Sequence, residues 1–208
     1  MLKLLQSAFL ALIAHNTNAA PPSQPMEYPL ILNKLTAIEQ FYHIKAGVYA
    51  EDTNTGQIII YHARDRFPFQ STVKFIGVSA LLAKDQNKPL LQKKVWVRPT
   101  NLIFWHPISG NYVNQQVSLQ TLAEGALSYS DNPAINIIIH QLGGLSAINQ
   151  FARNLGSTSF NLKHYEADLN SNPDQDADTS TPQEMGLNIK KIVLGNILLE
   201  SSSMPSGR

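Results

Sequence analysis

The sequence predicts an α+β fold, with an all-helical lobe beside a lobe that holds a short antiparallel sheet. Segments 46–51 and 58–61 are rich in β-branched and aromatic residues, and the turn-forming run 52–56 between them predicts a hairpin. From Ser71 onward, most segments repeat apolar residues at helical spacing. The length of 208 residues suits one domain, or two small lobes that share a core.

Composition excludes several classes of protein. Hydrophobic residues make up 43% of the chain and charged residues only 15%, which does not fit an intrinsically disordered protein. A net charge of +1 gives no basic footprint for nucleic acid. The sequence has no cysteine, so disulfides and thiolate zinc sites are excluded.

The first 20 residues have the layout of a secretory signal peptide. A basic start, the apolar stretch 4–14 and a polar end at 15–20 form its three regions, with cleavage expected after Ala19 or Ala20. A buried N-terminal helix is the alternative interpretation. The apolar stretch is too short to span a bilayer, so we expect no stable membrane insertion after cleavage. The sequence therefore predicts a periplasmic or secreted bacterial protein.

The other elements are assigned from periodicity. Residues 21–66 hold an amphipathic helix, 30–42, and the hairpin of the smaller lobe. Residues 67–199 form the helical lobe, and residues 200–208 form a tail. The polar stretch 156–181 predicts a long loop, which is typical of a functional segment. Within the helical lobe, helices are predicted over 73–83, 118–127, 134–142, 146–155 and 185–199.

The first candidate motif is Ser71-x-x-Lys74. On a helix, residues three apart share a face, so the lysine amine can reach the serine hydroxyl and act as its base. The positive end of the helix dipole would favour charge on the serine oxygen. So short a motif also arises by chance, and a capping serine beside a solvated lysine is the alternative interpretation.

The second motif is Ser130-Asp131-Asn132-Pro133. Asn132 suits a helix cap and Pro133 the first helical position, so an ordinary helix start is the alternative interpretation. That interpretation gives no role to Ser130, whose hydroxyl could relay a proton. The Asn132 amide could donate to a substrate carbonyl.

The third motif is Glu166 followed by Asn170 in the polar loop. The carboxylate could act as a general base through a water held by Asn170. A solvated surface carboxylate is the alternative for a lone glutamate. Because the three motifs occur together and in this order, they point to one catalytic site.

This set of motifs resembles the class A serine β-lactamases. The resemblance extends from about residue 30 to about residue 199. It implies the β-lactamase/transpeptidase-like fold, a small β-lactam substrate, a monomer, and neither a cofactor nor a metal. The flanking residues that agree are Arg66-Phe67-Pro68, Gly143-Gly144, Phe151-Ala152-Arg153 and Thr179-Ser180-Thr181-Pro182.

The resemblance also implies a role for each motif residue. Ser71 would attack the β-lactam carbonyl and form an acyl-enzyme, with Lys74 and Glu166 sharing its activation. Ser130 would pass a proton to the departing lactam nitrogen. Glu166, with Asn170, would then direct a water onto the ester.

Further residues are implied at the substrate side and in the loop. Asn132 would bind the acylamide side chain of the substrate, and Trp105 would lie at the pocket rim. His164 stands where the family usually has an arginine, and we expect a pH-dependent pair with Asp178.

The sequence departs from the family in its third catalytic motif. No Lys-Thr/Ser-Gly occurs, and the late lysines Lys190 and Lys191 lie in a predicted helix. In the family, that strand also supplies an oxyanion donor, whose loss costs about 10²–10³ in rate. The predicted sheet keeps only its N-terminal hairpin, with one edge and one apolar face open. We therefore expect a C-terminally truncated chain with weak or absent turnover.

Two alternatives remain at this stage. A penicillin-binding D-Ala-D-Ala peptidase shares Ser-x-x-Lys and Ser-x-Asn but lacks the pair formed here by Glu166 and Asn170. A non-catalytic remnant would keep the motifs without a working pocket, and the missing third motif favours it.

Overall fold

The computed structural model describes residues 28–86, 88–169 and 176–198, together with the backbone of a short strand near the N-terminus. The strands are β1 (Phe9–Leu10), β2 (Gly47–Glu51), β3 (Ile58–Tyr61), β4 (Phe67–Pro68), β5 (Lys94–Val97), β6 (Gln115–Ser118) and β7 (Thr179–Ser180). The helices are α1 (Tyr28–Tyr42), α2 (Val73–Asp85), α3 (Leu119–Tyr129), α4 (Asn132–Leu142), α5 (Leu145–Asn154) and α6 (Pro182–Leu194). Short 3₁₀ turns lie at Gln70–Thr72, Pro99–Asn101 and Ser109–Tyr112.

The predicted hairpin is confirmed. β2 and β3 are antiparallel, with Val48 opposite Tyr61 and Glu51 opposite Ile58. In the uncleaved chain the sheet holds one strand more than the expected hairpin, because β1 lies parallel to β2. The free edge of β2 offers the backbone groups for that pairing. Cleavage after residue 19 or 20 would remove β1 and leave the hairpin. Apart from β1, the predicted signal peptide lies outside the described residues, as does the tail at 200–208.

Two further strand pairs lie in segments for which the sequence predicted no strand. β5 and β6 form an antiparallel hairpin across a long connection. β4 pairs with β7, so that Phe67 lies opposite Ser180. This second pair joins the end of the polar loop to the chain just before the 3₁₀ turn that contains Ser71.

The helix before the second motif and the helix after it are capped by neighbouring side chains. Ser118 accepts a hydrogen bond from the Thr121 N–H at 3.1 Å and starts α3. Asp131 accepts from the Ala134 N–H at 2.9 Å and starts α4. The prediction that Asn132 is the cap is therefore wrong. Because the carboxylate of Asp131 takes that role, the Asn132 amide is available for other contacts.

The last helix begins and ends earlier than predicted. Its cap is Thr181, which accepts from the Glu184 N–H at 3.2 Å, and Pro182 occupies the first turn. It ends at Leu194, and the Gly195 N–H bonds to the Lys191 carbonyl. The predicted span 185–199 is therefore shifted, since threonine followed by proline is a strong start signal.

The core is organised around α4, whose apolar side chains face several neighbours. α4 packs against α2, α3 and α5, which explains its nearly continuous isoleucine sequence. Each fully buried isoleucine contributes roughly 1.5–3 kcal/mol relative to an exposed one. α4 thus fixes the position of α2 and of the turn between α3 and α4. The largest fully buried apolar side chains of the described residues are Phe69, Ile76, Leu81, Leu119, Leu122, Ile135, Ile138, Ile148, Leu162, Met185 and Ile192.

Apolar side chains of the hairpin and of α1 remain exposed. None of the residues of α1 is buried, and Phe41 is 76% exposed. Ile58 and Ile60 on β3 are also exposed, on the side of the sheet where α6 contacts β2. On the other side, α1 contacts β3, with Glu39 accepting from the Tyr61 hydroxyl at 2.5 Å. Among the described residues, every helix is too short or too polar to traverse a lipid bilayer.

Candidate active site

The nucleophile candidate and its lysine lie at the start of α2. Ser71 belongs to the 3₁₀ turn that runs directly into this helix, and Lys74 lies one turn further on. The Lys74 ammonium donates to Ser71 Oγ at 3.0 Å, which is the contact that the i, i+3 spacing predicted. The Phe69 N–H donates to the Asp178 carbonyl at 2.9 Å and ties this turn to the end of the polar loop.

Lys74 is buried, with 2% of its surface exposed, and has three acceptors around its ammonium. Besides Ser71, it donates to Asn132 Oδ1 at 2.8 Å and to Glu166 Oε1 at 2.6 Å. A buried charge is tolerated when it is paired and hydrogen-bonded, and here every ammonium hydrogen has a partner. Lys74 therefore joins residues from all three sequence motifs, and the alternative of a solvated lysine is excluded.

Ser130 also contacts the candidate nucleophile. Its hydroxyl donates to Ser71 Oγ at 2.7 Å. The residue ends α3 in a left-handed conformation, with φ of 56°, and its neighbour Asp131 is fully buried. Asp131 accepts from the Ile108 N–H, the Ser109 N–H and the Ser109 hydroxyl, at 2.8–2.9 Å, in addition to its capping bond. This carboxylate holds the turn that presents Ser130.

The backbone of Glu166 is held by a residue that the sequence analysis missed. Asn136 Nδ2 donates to the Glu166 carbonyl at 2.5 Å, and the Glu166 N–H donates to Asn136 Oδ1 at 3.1 Å. The peptide bond between Glu166 and Ala167 is cis. Asn136 lies four residues after Asn132, on the same face of an otherwise apolar helix. That spacing of two amides was the available sequence signal.

The predicted pair in the loop is present. His164 Nδ1 lies 2.7 Å from Asp178 Oδ2, and Asp178 is fully buried. The other oxygen of Asp178 accepts from the N–H groups of Lys163 and His164 at 2.8 and 2.9 Å. Asp178 thus connects the two arms of the loop just before Glu166.

The two residues expected on the substrate side, Asn132 and Trp105, contact each other, since the Asn132 backbone N–H donates to the Trp105 carbonyl at 3.1 Å. Asn132 Nδ2 donates to the Phe104 carbonyl at 3.1 Å, which leaves one of its two N–H groups for a ligand. Trp105 is 61% exposed, and its indole N–H donates to the Tyr129 carbonyl at 2.8 Å. Asn170, the predicted water-holding residue, lies outside the described residues. The part of the chain that the structure describes gathers no cluster of His, Asp or Glu suited to a metal ion.

The arrangement provides a serine hydroxyl between two proton carriers. Ser71 Oγ contacts the Lys74 amine and the Ser130 hydroxyl, and Lys74 in turn contacts the Glu166 carboxylate. A serine needs an adjacent base to become a nucleophile, and a leaving group needs a proton donor. Both requirements are met by side chains within hydrogen-bond distance.

The sequence matches a known protein family over most of its length. Residues 31–204 match the model of the β-lactamase enzyme family. The chain is 38% identical over 162 residues to β-lactamase 3 of Bacillus cereus, which covers 77% of this chain and 51% of that protein. It is 35% identical over 171 residues to the carbapenem-hydrolyzing β-lactamase KPC of Klebsiella oxytoca, covering 81% of this chain and 58% of that protein. The chain thus spans between half and three-fifths of the length of these curated relatives.

Solved structures agree with the sequence match. A β-lactamase from Desulfarculus baarsii DSM 2075 superposes with a TM-score of 0.81 at 31% identity, covering 84% of this chain and 65% of that one. An ancestral class A β-lactamase superposes with a TM-score of 0.78 at 29% identity, covering 82% of this chain and 67% of that one. The predicted β-lactamase/transpeptidase-like fold is confirmed.

Proposed function

Because the chain belongs to the class A β-lactamase family, we propose that it carries the machinery for hydrolysing β-lactams through an acyl-enzyme on Ser71. The supporting observation is the position of Ser71 Oγ between Lys74 Nζ, at 3.0 Å, and Ser130 Oγ, at 2.7 Å. Glu166 extends this network at 2.6 Å from the same ammonium. The proposal concerns the activity of a whole protein of this family. This chain spans between half and three-fifths of the length of the curated relatives.

In the acylation step, Ser71 Oγ bonds to the lactam carbonyl carbon and the ring C–N bond breaks. The proton of Ser71 passes to the Lys74 and Glu166 pair. Ser130 delivers its own proton to the departing nitrogen and is reprotonated by Lys74, so that one proton moves in total from Ser71 to the nitrogen. The geometry supports the first transfer, since Ser71 Oγ and Lys74 Nζ are 3.0 Å apart. It also places the Ser130 hydroxyl beside the reacting serine, since Ser130 Oγ and Ser71 Oγ are 2.7 Å apart.

In the deacylation step, Glu166 takes a proton from a water that attacks the ester carbonyl. The ester C–O bond breaks, and the hydroxyl of Ser71 is restored with a proton from the same network. We propose that Asn170 helps to hold this water. We also propose that the free N–H of Asn132 binds the acylamide group and that exposed Trp105 flanks the pocket.

The test is acylation and turnover by the purified chain, with a chromogenic cephalosporin and benzylpenicillin as substrates. Turnover above that of a Ser71→Ala variant, with a penicilloyl adduct that accumulates in Glu166→Gln, would support the proposal. A persistent adduct in the unmodified chain would favour the D-Ala-D-Ala peptidase alternative. A folded chain with neither adduct nor turnover would overturn acylation by this polypeptide and favour the non-catalytic alternative.

We propose further that the protein is exported and acts as a monomer. The signal-like pattern of residues 1–20 supports export. N-terminal sequencing of the protein from the periplasmic fraction should begin near residue 20 or 21. Sedimentation of that material should give the mass of one chain, and a dimer mass or an uncleaved N-terminus would contradict these two statements.

A further inference from the structure

Glu184, in the first turn of α6, has an unusually complete set of hydrogen bonds. Its carboxylate accepts from the N–H groups of Thr158, at 2.9 Å, and Ser159, at 2.7 Å. It also accepts from the hydroxyls of Ser157, of Thr158 at 2.7 Å and of Ser159 at 2.6 Å. Five donors from three consecutive residues thus converge on one side chain, 18 residues away from Glu166 in sequence.

These three residues form the entrance of the loop that carries Glu166. Ser159 Oγ lies 3.1 Å from Ser180 Oγ and accepts from the Thr181 N–H at 3.2 Å, so the entrance contacts the exit. The Glu184 N–H donates to the Thr181 hydroxyl at 3.2 Å. Glu184 therefore binds the entrance through its carboxylate and the exit through its backbone. We call these contacts, made by 157–159, 180–181 and Glu184, the loop clamp.

The charge of Glu184 is balanced by dipoles. No Lys, Arg or His of the described residues forms an ion pair with it. Burial raises the pKa of this carboxyl, but the hydrogen bonds from Ser157, Ser159 and Thr158 lower it by a larger amount, so that the pKa is about 2. The N-terminal end of α6 adds a favourable dipole. The side chain is therefore an ionised acceptor at neutral pH.

The clamp is connected to Glu166 by a short path. Between the clamp and Glu166, the Asn161 N–H donates to the Thr179 carbonyl, and the Asp178 N–H donates to the Asn161 carbonyl. The contacts of Asp178 with His164 follow, two residues before Glu166. Two other side chains also hold the entrance arm: Arg66 donates to the Ser159 carbonyl at 2.7 Å and to the Thr179 hydroxyl at 2.9 Å, and Asn149 bonds to both backbone groups of Leu162. Of the contacts made by Arg66, Asn149 and Glu184, those of Glu184 are the ones that depend on a carboxylate.

We propose that Glu184 is a positioning residue for Glu166, because its carboxylate fixes the entrance of the loop, which in turn contacts the exit through Ser159, and so keeps Glu166 against Lys74. This inference rests on the proposed function, in which Glu166 directs the deacylating water. Glu184 acts through the loop and contacts no reacting atom.

The test compares Glu184→Gln with a control, Glu124→Gln, in the full chain. Glu124 is an exposed carboxylate on α3 that accepts from the side chain of Gln120, so the control removes the same charge away from the loop. Amide hydrogen exchange should become at least tenfold faster over 161–169 in Glu184→Gln, with exchange in α4 unchanged. The lifetime of the benzylpenicillin acyl-enzyme, followed by mass spectrometry, should increase about tenfold, with acylation within twofold of the parent.

The two measurements separate the inference from the proposed function. If the parent forms no adduct, the proposed function fails. The hydrogen-exchange measurement alone then still decides whether the clamp holds the loop. Unchanged exchange over 161–169 would overturn the proposal. Equal acceleration in the loop and α4 would also overturn it, since that result indicates general destabilisation. A loosened loop with an unchanged acyl-enzyme lifetime would overturn the role in positioning Glu166.

Discussion

Replacement of Asp131 by asparagine should destabilise the protein far more than a neutral, nearly isosteric change normally does. The Asp131 side chain is fully buried and accepts four hydrogen bonds through its two oxygens. In Asp131→Asn, one oxygen becomes an NH₂ group. Where that group replaces Oδ2, it faces the N–H groups of Ile108 and Ser109, at 2.9 and 2.8 Å.

The expected cost follows from these lost bonds. An amide flip places the NH₂ group at the Oδ1 position, where it can donate to the Ser109 hydroxyl, so that only the Ala134 N–H loses its acceptor. A buried donor left without an acceptor costs about 1–3 kcal/mol, and the NH₂ group also faces that N–H, so we expect a loss of about 2–3 kcal/mol. For a chain of this size, that lowers Tm by roughly 4–12 °C.

The assay is urea unfolding followed by tryptophan fluorescence, with Ser109→Ala as the control. Ser109→Ala removes one of the four donors to Asp131 and places no N–H group against another donor, so we expect a loss of about 1 kcal/mol. A loss below about 0.5 kcal/mol for Asp131→Asn, or a loss equal to that of the control, would refute the view that this carboxylate organises the Ser130 turn.

Three further predictions concern the loop and the core. Because the pKa of Glu184 is about 2, below its ordinary value of 4.5, its ionised form stabilises the fold fully above about pH 4.5, and this contribution is lost as pH falls toward 2. The pKa difference corresponds to about 3 kcal/mol, which solvent screening reduces to about 1–2 kcal/mol. Glu184→Gln should therefore lose about 1–2 kcal/mol less of its free energy of unfolding than the parent as pH falls from 4.5 to 2. His164→Ala, which removes the contact with Asp178, should accelerate protease cleavage within 161–169, and equal cleavage rates in this variant and the parent chain would contradict a role of the contact in holding the loop. Gly77→Ala should lower thermal stability by about 1–2 kcal/mol despite better helix propensity, because its Cβ would lie 2.7 Å from Ile135 Cδ1, and adding Ile135→Val should recover most of the loss.

The sequence predicted best the features that depend on local spacing. The contact between Ser71 and Lys74 follows from one helical turn, and the hairpin of β2 and β3 follows from a short turn between two β-rich segments. The grouping of Ser130 and Glu166 around Ser71 came from the family resemblance, since local spacing cannot bring such distant residues together. The structure supplies that juxtaposition through the packing of α4 against its neighbours.

Features that depend on distant pairing could not be predicted from the chain alone. The β5–β6 pair joins two four-residue strands across a long connection, so no short turn sequence between them indicates the pairing. The capping role of Asp131 rather than Asn132 was ambiguous because both residue types are good caps. The loop clamp depends on Glu184 meeting residues about 25 positions earlier, and a glutamate in the first turn of a helix has the ordinary interpretation of a favourable dipole contact.

The three acceptors around Lys74 have a consequence for proton movement. An ammonium has three N–H bonds, and all three are used, by Ser71, Asn132 and Glu166. A neutral amine has two N–H bonds and one lone pair. If Lys74 gave a proton to Glu166 and then received the proton of Ser71, each pair of heavy atoms could stay at its distance while only the hydrogens changed sides. The site can therefore pass through several protonation patterns on a single heavy-atom framework, and neutron diffraction would distinguish patterns that X-ray coordinates would render identical.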